Sequence, residues 1–413
     1  MRVLLVHNFH RARTPSGEDV AYRRERDLLR EAPGLDVHAY ERSNDERAAQ
    51  GLAGALRAAV RLPHDPAVYA DLRARLGRLR PDIVHVHNTF PLLTPAVFAA
   101  CADARVPVVH TLHNHYLFCA RGTCDRGGRP CTLCLDTRNP WHAVRFGCYN
   151  DSRAKSLPVV RMIRRSWLDG SYARHVSGFV ALSEDGRARF LRAGLPPERL
   201  YVKPHFLPDP GPPGDAPGDA PRAGVLFVGR VTEEKGVRVL LEAAERLHAS
   251  GASVPVRIVG GSPDLEAYRA RAAHLPDVSF LGVQPPDACL RLMREAAAVV
   301  VPSVCPETFG LTVIEAYASG TPVVASRAGS LAELVVDGVT GRTVPPGDSK
   351  ALAAALADLA SDATAARAMG AAARARYETS YTPETSLVHL RTIYDRVLES
   401  EHPAASSHGT PSG

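Results

Sequence analysis

Lysine is nearly missing from this chain of 413 residues: four, at 155, 203, 235 and 350, stand against 46 arginines. A lysine at a motif position is therefore not placed there by background frequency. Aromatic side chains are also scarce, at 6%. The apolar content rests on Ala, Leu and Val, which with frequent Gly suits parallel sheets covered by helices. No run approaches ~18 apolar residues, so no membrane span is expected. The opening MRVLLVHNF carries too short an apolar run for a secretory leader and reads as a first buried strand, so a cytoplasmic location is expected. The net charge is +6, but no Lys/Arg block stands out, and nucleic acid is not expected as a partner. A basic surface attracts phosphorylated ligands or an anionic bilayer, so peripheral membrane contact stays open. No helix carries a His-x-x-x-His zinc pattern, and nothing sets an oligomeric state.

What is present alternates. Apolar strand patterns at 2–7, 35–43, 82–88, 106–114, 178–183 and 199–206 are separated by helical stretches, the first from about Val20 to Glu31. After a proline- and glycine-rich segment the pattern restarts, with strands at 224–229, 254–261, 278–282, 297–303 and 322–327 and helices between them. Proline removes amide donors and restricts the residue before it, so no regular element persists through 208–223. The expected architecture is α/β, with two Rossmann-like domains facing across a cleft: 1–207 and 224–378, joined by that linker. The polar tail 399–413 is expected to be disordered. In such sheets ligands bind outside the carboxyl ends of the strands.

Four constellations fall at strand ends. Gly229-Arg230-Val231-Thr232-Glu233-Glu234-Lys235-Gly236 follows a strand and opens a helix. A guanidinium fork, a compact ammonium and free helix amides suit a diphosphate, though a charged solvated loop would look the same. Glu307 and Glu315 flank Thr308-Phe309-Gly310-Leu311-Thr312, where carboxylates meet sugar hydroxyls and backbone amides meet phosphate. A helix-dipole role explains Glu307 alone but not the Phe-Gly pair. Ser16-Gly17-Glu18 is no dinucleotide fingerprint but leaves room at the backbone. Histidines cluster at 85, 87, 110, 113 and 115, with His113 where the fourth strand should end.

Together these motifs resemble the retaining family-4 glycosyltransferases of GT-B fold, over about residues 1–398. Gly229-Arg230 with Lys235-Gly236, Glu307-x7-Glu315, Gly320-Thr321-Pro322-Val323, Gly329 and the glycine turn Asp337-Gly338/Gly341 carry the resemblance in the second half. Ser16-Gly17-Glu18, His85-Val86-His87-Asn88 and Thr111-Leu112-His113-Asn114 resemble one branch, which also carries a cysteine run. His205 departs from the Asn usual there. The resemblance implies a nucleoside-diphosphate sugar as donor and transfer to a small-molecule or glycan acceptor without an obligate divalent metal. It also implies a C-terminal helix, 379–398, packing back on the first domain. Arg230 and Lys235 would neutralise the diphosphate, with Gly17 approaching it from the first domain. Glu307 and His113 would contact the sugar, and Phe309, Gly310 and Leu311 would bring amides to it. Glu315 would hold the ribose, and Phe280, Gly282 and Val283 the base. His87, Asn88, Asn114, Tyr116 and Trp141 would border the acceptor. A hydrolase, epimerase or phosphorylase on the same fold, or a nucleotide-sugar-binding protein, are the alternatives.

Five of eight cysteines lie within 30 residues, at 119, 124, 131, 134 and 148. Reduced thiols in a cytoplasmic protein make Cys119, Cys131, Cys134 and Cys148, with Cys124 as alternative ligand, a candidate structural zinc site. Unliganded thiols are the competing reading.

Overall fold

The computed structural model describes residues 1–10, 16–48, 51–211 and 222–401. Strands β1 (Arg2–Phe9), β2 (Asp36–Ser43), β3 (Ile83–Asn88), β4 (Val108–Thr111), β7 (Gly178–Ala181) and β8 (Leu200–Val202) build one sheet in the order β2-β1-β3-β4-β7-β8; the hairpin β5 (Asp125–Arg126) and β6 (Arg129–Pro130) lies apart. Strands β9 (Val225–Val228), β10 (Val256–Val259), β11 (Val278–Gly282), β12 (Ala298–Val301), β13 (Val323–Ser326) and β14 (Gly341–Val344) build the second, ordered β11-β10-β9-β12-β13-β14. Every pairing in both six-stranded sheets is parallel. Parallel strands covered on both faces need continuous apolar runs, which is what Val-Val-Val-type segments such as 298–301 supply: all four residues are buried. Two Rossmann-like sheets with a returning C-terminal helix are the GT-B architecture expected above.

The strand order reverses direction between β1 and β3 in the first sheet and between β9 and β12 in the second. Crossovers leave on opposite faces there, so a crevice opens at the carboxyl ends of those strands. The loops after β1, β9 and β12 carry Gly17, Lys235 and Glu307.

The first long helix, Gly17–Glu31, starts three residues earlier than its apolar pattern suggests. Ser16 and Asp19 form a reciprocal cap: the Ser16 hydroxyl accepts from the Asp19 amide, and the Asp19 carboxylate accepts from the Ser16 amide. Strand β14 and the β5–β6 hairpin were not anticipated, since Gly341-Arg342-Thr343-Val344 and the glycine-turned hairpin are too short and polar to show a period.

The helix Ala363–Ser380 stays with the second sheet, and Pro383–Glu401 crosses to the first. Leu390, Ile393, Tyr394 and Val397 bury against Val3, Leu5, Tyr22, Ile83, Val109 and Val180. The two chain crossings meet where the Leu207 amide donates to the Tyr381 carbonyl at 3.0 Å and the Tyr377 hydroxyl to the Leu207 carbonyl at 2.9 Å. Most of the linker, 212–221, and the tail from 402 lie outside the described residues.

Candidate active site

The loop after β9 is set by backbone constraint. Gly236 sits at φ 75°, and a Cβ there would meet the Pro302 carbonyl, so only glycine lets this loop lie on the end of β12. That contact brings the two second-half motifs together. Lys235 Nζ lies 2.6 Å from Glu307 Oε1, which also accepts from the Ser303 hydroxyl at 2.5 Å. Burial alone would push the Glu307 carboxyl up; the Lys235 ammonium, the Ser303 hydroxyl and the Arg230 charge outweigh it and hold the group below its ordinary value. Arg230 is mostly exposed and reaches Glu234 at 3.0 Å. Glu307 is further fixed by a bridge to Gly329 and by the Ser330 amide and hydroxyl, both donating to its carbonyl.

Phe309 is buried in the second domain, and the helix Leu311–Ala318 starts directly after Gly310. Thr308 and Thr312 are held through Ser183 (3.4 Å to the Thr308 carbonyl) and the Val228 carbonyl. Phe280 is partly buried, while Gly282 turns the chain after β11 and Val283 is 80% exposed, next to the Gly260-Gly261 turn after β10.

The first domain closes over this floor. A Cβ on Gly17 would stand 3.5 Å from Leu311 Cδ1. Arg24, two helical turns beyond Gly17 on the same face, donates to Glu315 at 3.3 Å. Burial raises the Glu315 carboxyl, with Arg24 opposing. The Glu184 amide donates to Glu333 at 2.9 Å, and the Asp185 amide also donates to it. The Asn114 side-chain amide donates to Glu18 at 2.9 Å, yet burial pushes the Glu18 carboxyl up to about 8. Sequence reasoning missed Arg24; the seven-residue spacing from Gly17 was the available signal.

His113 is buried and stacks between His87 (centroids 5.2 Å apart) and His205 (5.1 Å). His205 in turn meets the Phe309 ring edge-on at 5.2 Å, so the residue that departs from the family pattern bridges the two domains. Beneath lies an ion pair: Lys203 Nζ to Glu25 Oε2 at 2.6 Å, both buried. Burial would raise Glu25, but Lys203, His87 and His85 hold it well below the carboxylate range. Glu25 Oε1 is 3.2 Å from His87 Nε2, and His87 Nδ1 is 2.9 Å from His113 Nε2. Burial lowers His113, so its imidazole is neutral. The contact with His87 engages His113 Nε2, so Nδ1 is the ring nitrogen of His113 left over. That atom is buried and has no partner.

His87, Asn88, His113, Asn114 and Tyr116 line one cavity, closed by Phe90, Phe98, Leu112, Met162 and Ile163. Trp141 is not part of it: it lies 42% exposed, beside Leu157 and Arg161.

All eight cysteines are free thiols. Cys119 is drawn down to about 6, first by the Cys124 thiol, then against burial by amides of Cys124, Arg121 and Gly122. Cys134 is pushed up to about 12 by burial and by the charges of Cys119, Cys148 and Cys131. Among the described residues, the trio of metal-type donors within 4.8 Å of one another is Glu25, His85 and His87, not a set from the cysteine run. In that trio Glu25 Oε2 binds Lys203 and His85 binds the Tyr394 and Thr111 hydroxyls at 2.7 and 2.8 Å, while Glu25 Oε1 and His87 Nε2 are buried without a hydrogen-bond partner.

Two parallel sheets closing a polar crevice at their reversal points, with the last helix returning to the first sheet, define a glycosyltransferase of GT-B fold. The family profile described as Glycosyltransferase Family 4 matches residues 26–208, and that described as Glycosyl transferases group 1 matches 222–362. Phosphatidyl-myo-inositol mannosyltransferase of Mycobacterium leprae is 30% identical over 348 residues, 83% of this chain and 80% of that protein. The chain belongs to this glycosyltransferase family. Glycogen synthase of Mycobacterium tuberculosis is 35% identical over 180 residues, 42% of this chain and 43% of the synthase. Among solved structures, Anabaena HepE in complex with UDP and glucose shares the fold at 20% identity and TM-score 0.64, covering 96% of this chain and 98% of that one. Sucrose-phosphate synthase of Thermosynechococcus elongatus does so at 19% and 0.68, covering 97% and 99%. No helix among the described residues is long and apolar enough to cross a membrane.

Proposed function

We propose that this glycosyltransferase moves a hexose-type sugar from a nucleoside diphosphate to an acceptor hydroxyl with retention of anomeric configuration. The observation that carries the reading is the Lys235–Glu307 pair at the reversal point of the second sheet, 2.6 Å apart, with the first domain reaching the helix that follows through Gly17 against Leu311 and Arg24 on Glu315. A carboxylate and an ammonium paired in the crevice are matched to a ligand with hydroxyls and phosphate. On donor binding Glu307 turns to sugar hydroxyls, and Lys235, with Arg230, turns to the departing diphosphate. The amides at the start of Leu311–Ala318 add partial positive charge. Such donors favour the transition state because charge on the diphosphate grows as the glycosidic bond breaks. Glu315 exchanges Arg24 for the ribose, and Phe280, Gly282 and Val283 border the base. His113 accepts from a sugar hydroxyl through Nδ1. The acceptor enters by the cavity of His87, Asn88, Asn114 and Tyr116. Among the described residues no side chain of the first domain is placed as a nucleophile, and the leaving phosphate takes the acceptor proton on the face it departs from. Closure of the two domains keeps water out and limits hydrolysis. HepE, similar in fold, binds UDP and glucose.

In the insertion, Cys119, Cys131, Cys134 and Cys148 would hold a structural zinc as thiolates; the amides around Cys119 favour a thiolate there.

A donor-by-acceptor screen with mass detection tests transfer, and anomeric analysis of the product tests retention. Release of nucleoside diphosphate that needs an acceptor supports the reading. Release at the same rate without acceptor means a hydrolase, and binding without any release means a binding protein.

A further inference from the structure

The first domain has a second surface that the crevice does not use. Among the described residues before 208, the exposed large hydrophobics are Leu56, Val60, Trp141, Phe146, Leu157 and Leu168. All lie on three adjoining pieces of chain: the helix Gly51–Arg61, the helix His142–Phe146 with the residue before it, and the helix Arg153–Ile163 with the π-turn Arg164–Leu168 that continues it. The last of these packs on both others. Its first turn is exposed at 153, 154 and 155; beyond it the exposed positions 157, 161, 164, 165 and 168 follow one face, while 156, 159, 160 and 163 are buried. The outer stripe is therefore Leu157 and Leu168 interleaved with Arg161, Arg164 and Arg165.

The charge is one-sided. Residues 141–174 hold seven Lys and Arg against Asp151 and Asp169, which is most of the chain's net charge of +6. Arg145, Arg153, Lys155, Arg161, Arg164 and Arg165 are exposed, and among the described residues none lies within 4 Å of a carboxylate. The acidic groups facing the patch are few: Asp65 is taken by Arg61 at 3.6 Å, Asp151 by Arg121 at 3.3 Å, and Asp169 shares a shallow depression with Trp141, Leu157, Arg161, Arg164 and Arg165.

We propose that this face docks on an anionic lipid bilayer. Apolar side chains separated by unpaired guanidiniums fit an interface where chains enter the acyl boundary while cations meet phosphate headgroups. A protein partner would need a contiguous apolar centre, and here arginines divide the apolar groups. Leu, Trp and Phe supply the burial; Arg stems lie along the same surface with their heads outward. The inner side of the same helix, through Met162, Ile163 and Ser166, lines the cavity that holds His87 and His113. Docking thus sets the acceptor side of the enzyme against the membrane. This inference does not depend on the donor chemistry.

Co-sedimentation of the full chain with vesicles tests it, using phosphatidylcholine alone and phosphatidylcholine mixed with phosphatidylglycerol. The expected result is binding to the mixed vesicles only, weakened by salt. The combined variant Arg161→Glu, Arg164→Glu and Arg165→Glu should lose about tenfold or more in vesicle affinity. The variant Trp141→Ser with Leu157→Ser should also bind more weakly while keeping the salt dependence. Unchanged thermal unfolding and nucleotide binding establish that each variant is folded. Equal binding to both vesicle types, an unaffected arginine variant, or a self-association abolished by the Trp141/Leu157 variant without any vesicle binding overturns the proposal.

Discussion

At the scale of single residues, the account concentrates on two buried or half-buried ion pairs with opposite purposes. Lys235–Glu307 lies at the carboxyl ends of the second sheet's strands and, on the proposed function, is exchanged for ligand. Lys203–Glu25 is buried out of reach and is structural. Removing one partner of a fully buried pair leaves an unpaired charge and costs roughly 3–5 kcal/mol. Glu25→Gln is therefore expected to lower the melting temperature in calorimetry by many degrees, whereas Lys235→Ala leaves it nearly unchanged. The sign with pH follows from the depressed Glu25 carboxyl. Its stabilisation is present above the ordinary Glu value of about 4.3 and is lost as pH falls toward its folded value. Glu18 behaves the other way. Burial keeps it protonated up to about pH 8, so a negative charge appears beside Gly17 only above that pH. Donor affinity measured by titration should fall as pH rises through about 8, and Glu18→Gln should flatten the profile. A profile that is the same in both proteins contradicts the assignment. Of these residues, Lys235 was legible because lysine is so rare here. Lys203 was equally rare but carried no motif, and its pairing with Glu25 spans 178 positions, which no local pattern reveals.

At the scale of elements, the sequence reads well where an element buries one period and poorly where a single contact sets it. Inner strands such as β1, β3, β12 and β13 bury apolar residues on both faces, while the edge strands β2 and β11 stay mostly half-buried; eleven of the twelve strands were legible in the sequence, and β14, with Arg342 and Thr343 in four residues, was not. The start of the Gly17–Glu31 helix was legible in principle, since Ser16 and Asp19 are the two ends of a capping box. Ser16→Ala is expected to cost about 1 kcal/mol of stability and to loosen the Gly17 turn. The cysteine run was legible as a cluster but not as a geometry. The hairpin it surrounds turns at Gly127-Gly128, and a Cβ on Gly128 would meet Glu233 of the Lys235 loop. The insertion therefore touches the diphosphate loop, a contact across domains that spacing alone cannot supply. Metal analysis of reduced protein should find about one zinc per chain, lost in Cys131→Ser; metal-free, fully folded protein would leave five plain thiols.

At the scale of the whole molecule, two crossings join the domains, at Leu207 and Tyr381, and few polar contacts hold the cleft shut. Among the described residues, Arg24–Glu315, Ser183 to the Thr308 carbonyl, and the 184–185 amides to Glu333 cross it. So few bonds suit a cleft that opens for substrate and product. Arg24→Ala should leave fold and nucleotide binding largely intact but raise acceptor-independent hydrolysis relative to transfer, read as the ratio of free sugar to product. The fold and the donor-side motifs were visible in one dimension because they repeat a pattern or fill a spaced signature. The acceptor wall was not: Asn88 and Tyr116 share a cavity with Met162 and Ile163, while Trp141, nearer in sequence, faces away.

The central claim is that a diphosphate seats between Lys235, Arg230 and the Gly17 turn. Calorimetric titration with UDP, GDP and ADP and the matching monophosphates addresses it directly. The account predicts that one diphosphate binds distinctly more tightly than its monophosphate and that Lys235→Ala erases about tenfold or more of that affinity. Equal affinity for mono- and diphosphate, or a Lys235→Ala variant that binds as the native chain does, would contradict it.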